Sequence, residues 1–273
     1  MQNSYTEDFY NYHAQEVRHS AEQIIPLILE KFPCNKIVDV GCGDGTWLKV
    51  FKELGAEEIL GFDGDYVTPN ILVIPQENFV ACQLNKPLKI QKVFDLVVSL
   101  EVAEHLSDES AEIFIDSLTK LGKVILFSAA IPDQGGVNHI NEQWPEYWVN
   151  LFQKKDYVVL DWIRPKIWNN NSVAYYYRQN ILMFVEKNYL KNNNSLVSNT
   201  VDIWKCDDSS CISVVHPGLY IDTKSELRYV KNELEKATNP QKISLLNMIK
   251  LFPKVIISSM KRRINFFGNS FTS

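Results

Sequence analysis

Two groups of residues have the types and spacing to do chemistry. The first is the run Val38-Asp39-Val40-Gly41-Cys42-Gly43-Asp44-Gly45, which follows a β-branched apolar segment and precedes an amphipathic one. Glycines at a strand-to-helix junction let the backbone turn sharply and approach a ligand closely. No Lys-Ser/Thr pair follows, so the loop is not a P-loop, and its G-x-G-x-G spacing differs from the dinucleotide G-x-G-x-x-G. Asp63 closes the segment Gly61-Phe62-Asp63, 18 positions after Gly45. A carboxylate there suits the paired hydroxyls of a ribose.

The second group is Ser99-Leu100-Glu101-Val102-Ala103-Glu104-His105-Leu106, with His139 beyond the next apolar run. Two carboxylates and an imidazole crowd the end of Val93–Leu100. They support a hard cation that lowers the pKa of a substrate hydroxyl. They also support His139 or His105 acting as a general base. The third possibility is a solvated carboxylate pair with His105 capping a helix. Spacing leaves all three open.

The elements that must position these groups follow from periodicity. Residues 13–31 read as an amphipathic helix, with Pro26 as a possible kink. Strands are predicted at Lys36–Val40, Ile59–Phe62, Phe79–Cys82, Val93–Leu100, Lys123–Ala129, Tyr157–Ile163 and Asn180–Glu186. Helices are predicted at Gly45–Leu54, Ser107–Leu121, with Ser107 as cap, and Gln143–Lys154. Alternation of near-continuous apolar strands with helices predicts an α/β fold, with a parallel sheet covered on both faces. Ligands of such sheets lie beyond the carboxyl ends of the strands, where the polar groups collect.

VDVGCGDG, GFDGDY and FDLVVSLEVAEHL, in that order, resemble class I S-adenosylmethionine-dependent methyltransferases over about residues 20–187. The resemblance implies a Rossmann-like, mostly parallel sheet and S-adenosyl-L-methionine as cofactor. It implies that Gly41 and Gly43 pass under the methionine portion, that Asp39 orients its amino group and that Asp63 holds the ribose. Ser99 joins this cofactor-binding set. The family's Asp-Leu pair after strand three reads Cys82-Gln83-Leu84, leaving the Gln83 amide oxygen to accept from the adenine amine. The pattern Glu-x-x-Glu-His is similar to that of ubiquinone-type and small-RNA 2′-O-methyltransferases. It implies a divalent metal such as Mg2+ held by Glu101, Glu104, His105 and His139. Where no metal is used, His139, His105 and Glu101 are the implied catalytic groups.

The segment from Gly135 to Trp148 opens the acceptor side. Trp144, Trp148, Trp162 and Trp168 fall close together, and Tyr175, Tyr176 and Tyr177 follow, interleaved with Arg164, Lys166 and Arg178. Aromatic faces with polar edges suit sugar rings, and the cations suit a phosphate or carboxylate. The alternative is that the aromatics pack the back of the sheet. The stretch is similar to bacterial methyltransferases of surface-polysaccharide biosynthesis, which implies a sugar, nucleotide-sugar or phosphorylated glycan intermediate as acceptor.

Composition bounds these readings. The net charge is −5 with 45% hydrophobic residues, enough for a core and a poor match for long nucleic acid. Residues 187–273 hold 13 Lys/Arg and 7 Asp/Glu, whereas residues 1–186 hold 15 and 26. The expected organisation is therefore an acidic cofactor-binding domain, 1–187, and a linker with a basic helical C-terminal extension, 188–273, including a helix at Thr223–Lys236 and an apolar-basic stretch at Ser244–Arg263. The extension is expected to pack on the body, to bind a partner or to make peripheral membrane contact. The basic tail keeps an RNA 2′-O-methyltransferase in view as an alternative, beside a non-catalytic binding module that retains the fold. Five cysteines without close C-x-x-C spacing, including Cys206 and Cys211, suit reduced thiols. With no secretion signal or membrane span legible, the expected location is cytoplasmic.

Overall fold

Seven apolar segments assemble into one sheet in the order β3-β2-β1-β4-β5-β7-β6. They are β1 (Lys36–Val40), β2 (Glu58–Asp63), β3 (Phe79–Ala81), β4 (Leu96–Leu100), β5 (Val124–Ser128), β6 (Tyr157–Leu160) and β7 (Leu182–Glu186). This computed structural model describes residues 7–193 and 212–238. Strands β1 to β5 run parallel, with Val38 opposite Leu60 on one side and Val97 on the other. Strand β7 inserts antiparallel between β5 and β6. The α/β architecture expected from the sequence is present, with the C-terminal helix beyond it.

Side-chain alternation along each strand divides the core into two layers. Leu96, Val98 and Leu100 of β4 join a cluster with α1 (Glu7–Lys31) and α2 (Thr46–Glu53), around Ile24, Ile28, Leu48 and Phe51. Val97 faces the other cluster, formed with α3 (Asp108–Leu121) and α4 (Pro145–Gln153) around Phe114, Ile115 and Leu118. There Phe152 stacks on Phe184 at 3.9 Å between centroids. Burial of each such ring contributes roughly 2–3 kcal/mol.

Several boundaries move for local reasons. Strand β4 begins at Leu96 because Phe94 makes only an isolated bridge to Gly122. Strand β6 stops at Leu160 because Asp161 turns to pair with Arg164, ahead of the short α5 (Arg164–Ile167). The last strand starts at Leu182, since Tyr175–Asn180 form a short helix, α6. Ser107 sits at the N-cap position of α3, but its hydroxyl meets the Ser110 hydroxyl at 3.1 Å instead of a backbone amide.

The chain falls into two compact units, 1–219 and 220–273. In the first unit, α7 (Lys187–Asn192) follows β7, and Ile212 and His216 are buried. The expected helix at Thr223–Lys236 lies within α8 (Pro217–Thr238). The stretch Ser244–Arg263, Cys206 and Cys211 fall outside the described residues. Among the described residues, no helix is long and apolar enough to cross a membrane.

Candidate functional site

The carboxyl ends of the parallel strands open onto a cleft of about 1090 Å³. Its floor begins where β1 ends. Gly41 has φ +89°, and a Cβ there would lie 2.3 Å from Val102 Cγ2, so a side chain has no room. The Gly41 and Cys42 amides both donate to the Phe62 carbonyl, at 2.7 and 3.1 Å, which clips the loop to β2. Asp44 Oδ1 accepts from the Thr46 amide at 2.9 Å and so caps α2, a task that glycine at position 45 cannot perform.

At the tip of β2 the Asp63 carboxylate is buried, 4% exposed. Its Oδ2 accepts from the Gly43 amide at 2.7 Å, and Oδ1 accepts from the Gly64 amide at 2.6 Å and from the Tyr66 hydroxyl. Burial, followed by the Asp63 hydrogen bond, raises the Tyr66 phenol above its ordinary pKa.

Of the residues assigned to the cofactor, Gly41, Gly43, Asp63 and Gln83 line this cleft. Asp39 lies behind it, 3% exposed, its carboxyl pushed well above the usual range by burial first and then by Asp63 and Asp44. Ser99 is fully buried and is not part of the lining. Its hydroxyl donates to the Val40 carbonyl at 2.8 Å, so a small polar residue in an apolar strand ties β4 to β1.

The second group divides. Glu101 has φ +54°, and its amide donates to both the carbonyl and the hydroxyl of Ser128 at 3.1 Å. Its carboxylate accepts from Asn180 Nδ2 at 3.1 and 3.2 Å and from Gln134 Nε2 at 2.9 Å. The network continues through Gln179 to the His216 amide. Burial raises the Glu101 pKa, while the bonds from Asn180, Ser128 and Gln134 oppose that shift.

Glu104, His105 and His139 instead converge, each offering a ligand atom within 4.8 Å of the others. Glu104 is fully buried, and neither carboxylate oxygen has a hydrogen-bond partner among the described residues. Burial, then Glu101, pushes its pKa up to about 9. The two imidazoles meet edge-on at 4.8 Å. His105 Nδ1 lies 3.3 Å from the Asn138 carbonyl, an acceptor only, so that nitrogen must carry the proton. His139 Nδ1 lies 2.8 Å from Glu142 Oε1. Both lone pairs are thereby placed on Nε2. Burial, then His139, holds the His105 pKa below its ordinary value, which favours the neutral ring.

Glu101, the fourth residue of the expected set, stands outside this group, its carboxylate engaged by Asn180 and Gln134. Glu142, Asn138, Gln134 and Tyr66 went unforeseen. Glu142 stands three residues after His139, a spacing that could have drawn attention to it. Gln134 and Asn180 meet Glu101 through tertiary folding and left no local signal.

The aromatic and cationic residues expected at the acceptor side mostly serve the core. Trp148, Trp162 and Tyr177 are buried, and Trp47 Nε1 donates to the Tyr177 hydroxyl at 3.3 Å. Arg164, 3% exposed, pairs with Asp161 and donates to the carbonyls of Gln179 and Ile212. Lys166 lies over the Trp162 ring, and Arg178 donates to Trp168 and Asn171. None of the cleft-lining residues is Lys or Arg. Trp144 stays partly exposed, and Val137 and Ile140 stand out at 68% and 66% exposure on the loop that follows β5.

A family model described as a methyltransferase domain matches residues 11–159. The ribosomal protein L11 methyltransferase of Thermotoga neapolitana is 26% identical over 156 residues, covering 50% of this chain and 57% of that protein. The chain thus matches little more than half of that relative's length. Among solved structures, magnesium protoporphyrin IX methyltransferase from Synechocystis PCC 6803, with bound SAH, superposes with a TM-score of 0.50 at 15% identity, covering 68% of this chain and 90% of that one. An amino pentose methyltransferase from Micromonospora echinaspora, with SAM bound, gives a TM-score of 0.48 at 12% identity, covering 68% and 99%. The likeness to the Synechocystis enzyme shows a shared fold.

Proposed function

The chain belongs to the methyltransferase-domain family, and from that premise we propose that it is an S-adenosylmethionine-dependent O-methyltransferase of a small polar acceptor. The observation that carries the reading is one cleft lined by Gly41, Gly43, Asp63, Gln83, Glu101 and His105, with Glu104 and His139, which lines a neighbouring pocket, grouped on His105. The site fits the cofactor. Gly41 and Gly43 bring bare backbone to the cleft, the buried Asp63 presents its carboxylate to it, and Gln83 lines it.

S-adenosylmethionine, when bound, supplies an electrophilic methyl group on a good leaving sulfur. The residues of this chain do the rest. Gly41 and Gly43 give close backbone approach, and Asp63 holds the ribose hydroxyls. Asp39 and Ser99 act from behind, fixing the loop and the strand that carry these contacts. His139 accepts the acceptor hydroxyl's proton at Nε2 while Glu142 holds its tautomer, and His105 and Glu101 complete the catalytic group. The enzyme's main task is to align the acceptor and exclude water.

A second reading gives the same three side chains a divalent cation, and the two unpartnered oxygens of Glu104 favour it. A buried carboxylate beside two imidazoles with free Nε2 lone pairs fits a cation, and an imidazole pair suits a borderline transition ion better than Mg2+. When bound, such an ion would lower the pKa of an acceptor hydroxyl.

The proposed acceptor is a sugar or nucleotide-sugar hydroxyl of surface-glycan biosynthesis in the cytoplasm. The lack of cations in the cleft lining favours presentation of an uncharged part of that molecule. The same lack, with the acidic body, weighs against RNA. Peripheral membrane contact through the basic tail remains part of the proposal, and liposome sedimentation at low salt is its test.

Calorimetry with S-adenosylmethionine tests the core of the reading: no binding at millimolar cofactor sinks it in favour of a scaffold. An acceptor screen with and without a chelator, followed by metal add-back, then separates the base from the cation.

A further inference from the structure

Asp63 is over-subscribed for the partner it is proposed to hold. An ionised carboxylate offers about four lone-pair positions. Two are taken by backbone amides of fixed position, Gly43 on Oδ2 and Gly64 on Oδ1, and a third by the Tyr66 hydroxyl on Oδ1. One position is left, whereas a ribose diol held through both hydroxyls needs two. The amides belong to the loop and cannot leave without unfolding it. Tyr66 can leave, since its side chain is anchored at one end only and is 74% exposed.

We propose that Tyr66 is an exchangeable stand-in for a ribose hydroxyl: it satisfies Asp63 before the cofactor arrives, yields to the diol, and then covers the adenosine with its ring. The proposal rests on the cofactor reading above and adds to it a residue that sets cofactor affinity. Two further features agree. Tyr66 is the one Phe, Tyr or Trp among the cleft-lining residues, so it is the aromatic face available there to a nucleoside. Its ring lies against Gly64, where a Cβ would fall 2.2 Å from Tyr66 Cε1. Gly64 has no left-handed φ, so its missing side chain serves the ring and not the turn.

This arrangement provides two independent perturbations. Tyr66→Phe removes the competing hydroxyl and keeps the ring. Gly64→Ala keeps the hydroxyl and pushes the ring off Asp63. Calorimetry on the full chain, with S-adenosylhomocysteine, adenosine and 2′,3′-dideoxyadenosine as ligands, reads both. Both variants are expected to bind S-adenosylhomocysteine and adenosine about 3- to 10-fold more tightly than the parent, the range of one competing hydrogen bond. Binding of the dideoxy compound stays unchanged, because it has no diol to gain. Tyr66→Ala, without the ring, binds more weakly than Tyr66→Phe. The proposal is overturned if Tyr66→Phe binds S-adenosylhomocysteine no more tightly than the parent, or if the dideoxy compound gains equally. Failure of the parent and both variants to bind S-adenosylhomocysteine at millimolar concentration would instead remove the cofactor reading itself, and this proposal with it.

Discussion

Glu104→Gln is the most informative perturbation of the site, because its effect can be worked out from burial and the neighbouring Glu101. The carboxyl is fully buried, and its pKa rises from 4.5 to about 9. A carboxyl whose folded pKa exceeds its unfolded pKa keeps its proton in the native state and loses it on unfolding. Folding stability therefore falls as pH rises between those two values. Each pH unit inside the window costs about 1.4 kcal/mol. From pH 6 to pH 9 the loss from this single group is about 4 kcal/mol, allowing for its partial ionisation near pH 9. Glutamine has the same shape and no proton to lose, so the variant should shed most of this pH dependence. The assay is urea unfolding at pH 6, 7, 8 and 9 with a chelator present, comparing parent and variant at each pH. Groups remote from Glu104 cancel in the difference, whereas Glu101, whose charge raises the Glu104 pKa, is itself relieved in the variant. Curves that stay parallel from pH 6 to pH 9 would refute the buried, unpartnered carboxyl. A transition ion added without chelator should restore stability to the parent at high pH and leave the variant unmoved, because a cation binds the ionised form.

Three further outcomes are expected. Asp63→Ala should weaken S-adenosylhomocysteine binding about 100-fold or more through two lost charge-assisted hydrogen bonds; a loss under threefold in the folded variant removes Asp63 from the ribose. Gly136→Ala should weaken Mn2+ or Zn2+ binding by about 10-fold or more, since a Cβ there would lie 2.2 Å from His139 Nε2; unchanged isotherms would show that His139 takes no part. Arg164→Met should cost about 3–5 kcal/mol in urea unfolding by stranding the buried Asp161, and the double variant with Asp161→Leu should recover most of it; a single-variant cost under about 1 kcal/mol would show the pair to be hydrated.

Much of the fold was legible because the central strands are short, rich in branched apolar residues and buried on both faces, while α2 and α3 carry one apolar stripe each. The glycine loop and Asp63 were legible for the same reason: backbone turns and strand tips are local, and their residue types are restricted. Glu101 marks the limit. It stands three positions before Glu104, yet it takes a left-handed φ and its carboxylate is engaged by a side-chain amide 79 residues away. No spacing rule contains Asn180. Ser99 and Arg164 show the same limit, since the buried carbonyls they satisfy, Val40 for one and Gln179 and Ile212 for the other, are brought to them only by tertiary folding. Tyr66 was passed over because aromatic residues are common near surfaces, and only its distance to Asp63 makes it distinctive.

The loop after β5 is latched in a way that bears on how such a chain diversifies. The Ile140 and Asn141 amides donate to the Glu104 carbonyl at 2.9 and 3.0 Å. Every residue but proline carries such a donor, so the latch is indifferent to the side chains it holds. Val137 and Ile140 point outward from a segment whose path does not depend on them. Both also line the cleft, so on the proposed reading substitutions there would alter its acceptor side while the latch to Glu104 is kept. The path of this segment is thus set by backbone groups that every residue but proline supplies, which leaves its side chains free to vary.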